Sequence, residues 1–516
     1  MNTIVGWEKC ILVVAIAAGI GWAAPTQALS LSKNGMGQVL LFPYYTVNSE
    51  IQTLISIVNT TGKGKATRLF FREGRNSRIV MELSIYLAPY DVWTGSVFGF
   101  GSAADPAKLL TTDNSCTVPA LKTNTSLPSL PNGSHFAPFS NAAYTGSADD
   151  AGPGDLARTR EGHFELIEMG EVTDESFGTR TAITPASNGV PPGCQNLIRA
   201  WEPGGYWSVN PRADIGVPRG GLYGSAYYID ALGGTLQMVA ADAIENFSER
   251  TLHRPPAVGS PTLADANTPG PFNAPIVNAS VYVDGVPVRM DYPLERAIDA
   301  VSAVLMADQI QNEFVTSASV GGASEWVATF PTKHFYTDVG TASPIAPFLR
   351  AFAIQEGVGK SSIDFSATGW TREGRSIDCI NASCLPVLPS PETATRLSWA
   401  SNVVTFNQLA AAQTQSAILG SLLTYDIQTT GVGVAGPTGI TVEGALRMSF
   451  WQSGTEPNHG EHELRPDLSG RQLRGLPVQG FWLASYTNGQ LTPGVLSNYS
   501  DAVRHQSHAA LSASSQ

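Results

Sequence analysis

The chain has 516 residues, room for about two to four average domains, although β proteins often run long as one unit. It is 43% hydrophobic and only 14% charged, with 51 Gly and 34 Pro, which fits a loop-rich exported β protein better than a charged helical cytosolic one. A formal net charge of −12, with no dense run of Lys and Arg, argues against a nucleic-acid partner.

Residues 1–28 read as a signal peptide. Lys9 precedes an apolar run over 10–24, which is shorter than the ~20 residues of a membrane span. Thr26-Gln27-Ala28 places small residues at −3 and −1, so cleavage is expected before Leu29. Cys10 begins the apolar run instead of following it, which argues against a lipid anchor. No later stretch is long and apolar enough to span a bilayer, so no transmembrane segment is expected after cleavage.

Residues 39–45 form a strand in which Pro43 cannot donate to a ladder, so an edge or a bend is expected there; an edge would be open to a partner strand or guarded by the proline. Residues 51–58 carry apolar side chains on both parities, which predicts burial on both faces or a central position. The turn 61–65 is expected to pair them in a hairpin with 66–72. Ile79, Met81, Leu83, Ile85 and Leu87 share one parity, the period of a half-buried strand. Glu73–Ser77 supplies turn residues, so 66–72 and 78–87 form a further hairpin. The arginines 68, 72, 75 and 78 are expected on a solvated strand face and turn.

Residues 99–160 are rich in Ser, Ala, Gly, Pro and Asn and are expected as a long loop insertion, partly ordered by Cys116. Asp149, Asp150 and Asp155 suit a solvated acidic loop better than a calcium site. A strand follows at 163–172, a short helix at 195–201 and a hairpin over 221–234 whose second strand starts at Thr235. Pro and Gly over 255–274 suggest a linker between an N-terminal β-rich lobe, 29–254, and a C-terminal one, 275–516. Asp284-Gly285 predicts a tight hairpin. Leu294, Ile298, Val301, Leu305 and Ile310 recur at helical spacing, which predicts one long helix over 293–313. Strands are expected near 326–330, 334–336, 349–354, 396–406, 438–451 and 478–486. The fold class is therefore all-β, with Ig-like or related β-sandwich lobes, one long helix and long loop insertions.

Four cysteines remain after cleavage, which allows three pairings. Nearness in sequence favours Cys379 with Cys384, leaving Cys116 with Cys194. The one polar cluster that looks like metal chemistry is His459-Gly460-Glu461-His462-Glu463. Its His459, Glu461 and His462 are zinc- or copper-type ligands, but Pro457 and Gly460 oppose the helix that would align them. His505 and His508 lie in what reads as a frayed polar tail. No nucleophile elbow, phosphate loop or dinucleotide fingerprint is present, and no cofactor is expected. Asp230 and Asp242 are carboxylates a glycosidase could use, without a spacing that selects them. Tyr206, Trp207, Tyr223, Tyr227 and Tyr228 could stack on sugars, although core packing uses such residues more often.

The phrases LLFPYYTV, ISIVNTTGKGKATRLFFREGRNS and LSIYLAPYDVWTG resemble those of a group of uncharacterised secreted proteobacterial proteins. The likeness returns at WVATFPTKHFYTD (326–338), AIDAVSAVLM (297–306) and LPVQGFWLASYTNG (476–489). It implies export and a mostly β fold, and it brings no activity. Rigid strands displaying long loops point to an exported, non-catalytic surface or extracellular structural or interaction protein with a protein or glycan partner. The alternative is a secreted hydrolase or metal-dependent enzyme.

Overall fold

The computed structural model describes residues 28–268, 274–338, 344–352, 359–374, 376–377, 396–406, 415–427, 443–451 and 462–512. Among them the protein is mostly β, with four large sheets and a few short helices. The first sheet runs Ser30–Leu31, Asp242–Glu245, Val39–Thr46, Glu161–Val172, Gly64–Glu73, Ile79–Leu87, Cys116–Val118. The second runs Thr235–Ala240, Leu222–Asp230, Gln52–Asn59, Val92–Phe98, Lys108–Leu110, Phe136–Pro138. The third contains Ser376–Ile377, Ser366–Thr371, Glu443–Ser449, Gln309–Val315 and Gln506–His508. The fourth contains Thr424–Ile427, Ser401–Phe406, Gly322–Thr329, Gln479–Thr492 and Val495–Arg504. Pairing is antiparallel throughout these sheets except between Ser401–Phe406 and Thr424–Ile427.

The hairpin Gly64–Glu73 with Ile79–Leu87 forms as its period and turn predict. Gln52–Asn59 is central in its sheet, but it makes no hairpin with the next strand. It pairs with Leu222–Asp230 and Val92–Phe98, and the chain then crosses to the first sheet. Val39–Thr46 is not an edge. Asp242–Glu245 pairs with it up to Leu41, and Glu161–Val172 pairs along its other side. Pro43 is accommodated because it lies past Leu41 on the first side and at a register slip on the second. The insertion 99–160 adds strands to both sheets, and Cys116 is bonded to Cys194, as the spacing suggested. Cys379 and Cys384 lie outside the described residues.

Residues on both sides of 255–274 share one core. Leu40, Phe42, Leu69, Phe71 and Phe164 of the first sheet meet Ile57, Trp93 and Tyr228 of the second, together with Val327, Val403 and Phe481 of the fourth. The rings of Tyr228 and Phe481 are 5.6 Å apart. The amides of Ala400 and Ser401 donate to the carbonyls of Arg75 and Gly74 at 3.0 and 2.8 Å.

The long helix expected over 293–313 is shorter. A 3-10 turn at Leu294–Arg296 leads into Ala297–Leu305, and Gln309–Val315 is a strand. Ile310 continues the helical spacing by coincidence. The backbone instead bonds Glu443–Ser449 on one side and Gln506–His508 on the other, partners roughly 130 to 200 residues away. All nine helical residues are buried, against the hairpin Ile276–Val283 and Val286–Pro293 among others, so the helix has no solvent face. That hairpin turns at Asp284 (φ 49°) and Gly285 (φ 78°), the left-handed pair a type I′ turn requires. Residues 334–337 form a helical turn instead of a strand, and 349–352 form no strand.

Candidate functional site

The strand Gln52–Asn59 alternates strictly between buried and part-exposed positions. Its Ile55 and Ile57 enter the core, while Leu54, Ser56 and Val58 face outward. Register continues that outward face across the sheet. One row reads Met238, Tyr227, Leu54, Ser96, Leu110, and the next reads Ala240, Ser225, Ser56, Thr94. Leu236 and Met238 are 52% and 45% exposed. A groove of about 450 Å³ opens here, lined by Leu54, Ser56, Thr94, Ser96, Tyr227 and Leu236 among others, with no carboxylate or cationic side chain among the described residues of its wall. Gly95 lines the groove as well, and on its core side a methyl would meet the Trp93 indole at 2.4 Å. An open antiparallel sheet face ordinarily carries charge, because water solvates one side. Around Leu54 and Tyr227 this face carries apolar and hydroxyl groups instead, with Lys108 at its far end.

The protein has no match among protein-family models, curated proteins or solved structures.

Of the metal-type cluster, His459 and Glu461 lie outside the described residues. His462 is buried, with Nδ1 2.7 Å from the Pro347 carbonyl oxygen, and burial lowers its pKa. Among the described residues no group of three or more His, Cys, Asp or Glu is placed to hold a metal. The tail is not frayed. His505 Nε2 lies 3.0 Å from the Val327 carbonyl oxygen, and its ring centre is 4.7 Å from that of Trp326. His508 sits between Asp308 and Asp284, and its hydrogen bond to Asp308 raises its pKa.

The arginines expected in water are largely buried, because Gly64–Glu73 is covered on both faces. Arg68 donates to the carbonyls of Arg254 and Pro255, Arg72 pairs with Glu165 at 2.8 Å, and Arg78 pairs with Asp338. Asp150 is likewise buried, on Arg158 at 2.6 Å, so it does not belong to a solvated loop. Asp230 accepts from the Gly233 amide of its own turn, and Asp242 pairs with Arg504. Trp207 and Tyr228 are core residues, whereas Tyr223 and Tyr227 face outward on the open sheet. His163 Nδ1 lies 3.3 Å from Ser401 Oγ, but both residues are sealed in the interior and no substrate reaches them.

A second feature missed in the sequence is a pair of buried carboxylates that clamp one turn. Glu325 accepts from the amides of Ile418 and Leu419 and the hydroxyl of Ser416. Glu161 accepts from the Leu422 amide and from the hydroxyls of Ser421 and Tyr44. Burial pushes the Glu325 carboxyl up to about 7, against the opposing pull of those amides and the hydroxyl. These groups position a structural turn and are closed to solvent.

Proposed function

We propose that the protein is an exported, non-catalytic interaction protein of the cell surface or extracellular space, docking a partner protein on the open face of its second sheet. The observation that carries this reading is the strand Gln52–Asn59, apolar on both faces and covered on only one. An uncharged, hydroxyl-fringed sheet face around a 450 Å³ groove suits a partner surface that is itself flat and largely uncharged. Export is supported by the leader-like segment 1–28 and by the Cys116–Cys194 bond, which persists in oxidising compartments. The same reading takes the first and second sheets as a β-sandwich related to Ig-like lobes, pairs Cys379 with Cys384, and places the chain with the secreted proteobacterial proteins it resembles. The test is to place charge on exposed positions, with Leu236→Lys and Met238→Glu. Both variants are expected to fold as the parent and to lose cell-surface or partner association. Because no ion pair is involved, the parent's association is expected to hold between about 0.05 and 0.5 M salt. Association that survives both charged variants sinks the proposal.

A further inference from the structure

A second concavity lies between the third and fourth sheets. It has a volume of about 320 Å³ and is lined by Trp482 and Tyr486 of the fourth sheet, with Phe314 and Val315 beneath and Glu313, Thr371, Arg372 and Glu443 around them. Glu443 and Arg372 form an ion pair at 2.9 Å, and Arg372 is 72% exposed. Trp482 is fixed by its own hydrogen bond, with Nε1 donating to Ser324 Oγ at 3.0 Å. Tyr486 is in direct register with Tyr499 on the neighbouring strand, and Tyr499 is 64% exposed. Trp482, Tyr486, Tyr499 and Val503 share one face by strand alternation and register. The aromatic surface therefore starts inside the cleft and continues out of it along the ribbon.

We propose that this cleft is a saccharide-binding site that takes a short neutral glycan segment across Trp482, Tyr486 and Tyr499. A hexopyranose has an apolar C–H face and a rim of hydroxyls. Flat aromatic rings meet the first, and a carboxylate beside a guanidinium offers acceptors and paired donors to the second. The volume falls at the low end of the ~300–1,000 Å³ range of small-ligand pockets, which suits a short segment instead of a globular partner. Tyr499 outside the cleft gives a longer chain a further ring to lie on. Charge selects the class. Among the described residues, Glu313 and Glu443 line the cleft and Asp501 shares the aromatic face, against one lining cation, Arg372. Uronates and sulfated sugars are therefore repelled, and neutral hexose chains are admitted. This site is independent of the open face of the second sheet, since the two share no residue.

The experiment is calorimetric titration of the full-length protein with cellohexaose, laminarihexaose, chitohexaose and, as the anionic counterpart, tetragalacturonate. At least one neutral hexasaccharide is expected to bind with quenching of tryptophan fluorescence, and tetragalacturonate is expected to bind at least about tenfold more weakly. Tyr499→Ala is expected to raise Kd about fivefold to tenfold, as loss of one stacking ring implies. Its exposure leaves the fold intact. Trp482→Phe keeps a ring in the cleft and is expected to bind more weakly without losing the fold. Leu236→Lys is expected to leave sugar binding unchanged, so failure here and failure of the docking reading are separable. Three outcomes overturn the inference: no binding of any neutral probe, unchanged affinity in both Tyr499→Ala and Trp482→Phe, or preference for tetragalacturonate.

Discussion

Replacing Arg158 tests how the insertion 99–160 is fastened to the first sheet. Its guanidinium makes two forked contacts, to Glu73 at 2.8 and 3.0 Å and to Asp150 at 2.6 and 2.9 Å, and it lies 4.2 Å from the centre of the Tyr144 ring. Glu73 also accepts from the amides of Arg75, Asn76 and Arg78, so the same carboxylate holds the hairpin turn. Arg158→Met removes the cation that bridges the two buried carboxylates and leaves Asp150 with Arg78 Nε at 3.9 Å. Breaking such a pair costs about 3–5 kcal/mol, because the remaining charges stay desolvated. At ~2.1 cal/mol/K per residue, a mature chain of about 490 residues loses ~1 °C in Tm per kcal/mol, so a drop of about 3–5 °C is expected by calorimetry at pH 7. The pH dependence identifies the cause. Burial alone would raise the Asp150 carboxyl; the hydrogen bonds and charge of Arg158, helped by Asn76 and the Gly152 amide, outweigh it and hold it below its ordinary value. In the parent that stabilisation is present above the unfolded pKa of 3.8 and is lost as pH falls through the lower folded value. In the variant the burial effect is unopposed by Arg158, so acid relieves it and the gap between the two proteins narrows from pH 7 towards pH 4. An unchanged Tm at pH 7, or a gap that does not narrow, would refute the reasoning.

Two further outcomes are expected. Reduction, or the double substitution Cys116→Ser with Cys194→Ser, opens a loop whose ends are 78 residues apart. The chain-entropy relation gives about 4.5 kcal/mol for that length, so Tm is expected to fall by about 4–5 °C; a shift under about 1 °C would show that the loop is held without the bond. The folded pKa of Glu325 is raised from 4.5 to about 7 by burial, so the folded state binds its proton more tightly than the unfolded chain does. Its contribution is therefore full below 4.5 and declines as pH rises to about 7, by about 3 kcal/mol. Glu325→Gln is expected to gain on the parent in Tm between pH 5 and pH 8, and parallel curves would contradict this.

What was legible in the sequence is what local periodicity controls. The hairpin over 64–87, the Asp284-Gly285 turn and the helix at Cys194–Ala200 all follow from side chains and turn residues within a few positions of one another. The misreadings share the opposite cause. Arg72 looks solvated until Glu165, distant in sequence, is laid beside it by sheet pairing. Ile310 looks helical because its spacing fits, and only its pairing with Met448 makes it a strand residue. The candidate groove was half legible. Apolar residues on both parities of 51–58 predict burial on both faces or a central position; the central position holds, but only one face is buried, and nothing local says which one the chain leaves open. The saccharide cleft was not legible, because its residues come from segments between 313 and 499 that meet only through two sheets.

The edges of these sheets decide between two modes of recognition. A partner strand needs a free row of amides and carbonyls at a sheet edge. Val39–Thr46 offers no free row, since Glu161–Val172 pairs one side, Asp242–Glu245 pairs the other as far as Leu41, and beyond it the carbonyls of Pro43 and Tyr44 accept from the hydroxyls of Thr329 and Tyr228. The edge strand Thr235–Ala240 lies beside the edge strand Val495–Arg504, and side chains fill the seam. Asn498 donates to the Gly233 carbonyl at 2.7 Å, Ser500 to that of Leu236 at 3.2 Å, and Arg504 to those of Ala240 and Ala241 while pairing with Asp242. At the far end of the second sheet, Phe136–Pro138 is three residues long and ends in a proline, which blunts that edge too. Strand addition is therefore opposed at each of these positions, which favours the two proposed surfaces on sheet faces over pairing at these edges. Both proposed surfaces are of that kind: one is an uncharged face around Leu54 and Tyr227, the other an aromatic face running from Trp482 to Tyr499. Arg504 ties the second and fourth sheets, which carry them, along the seam. Arg504→Ala removes the charged part of the seam, leaves the Asn498 and Ser500 bonds, and keeps the residues of each face in place.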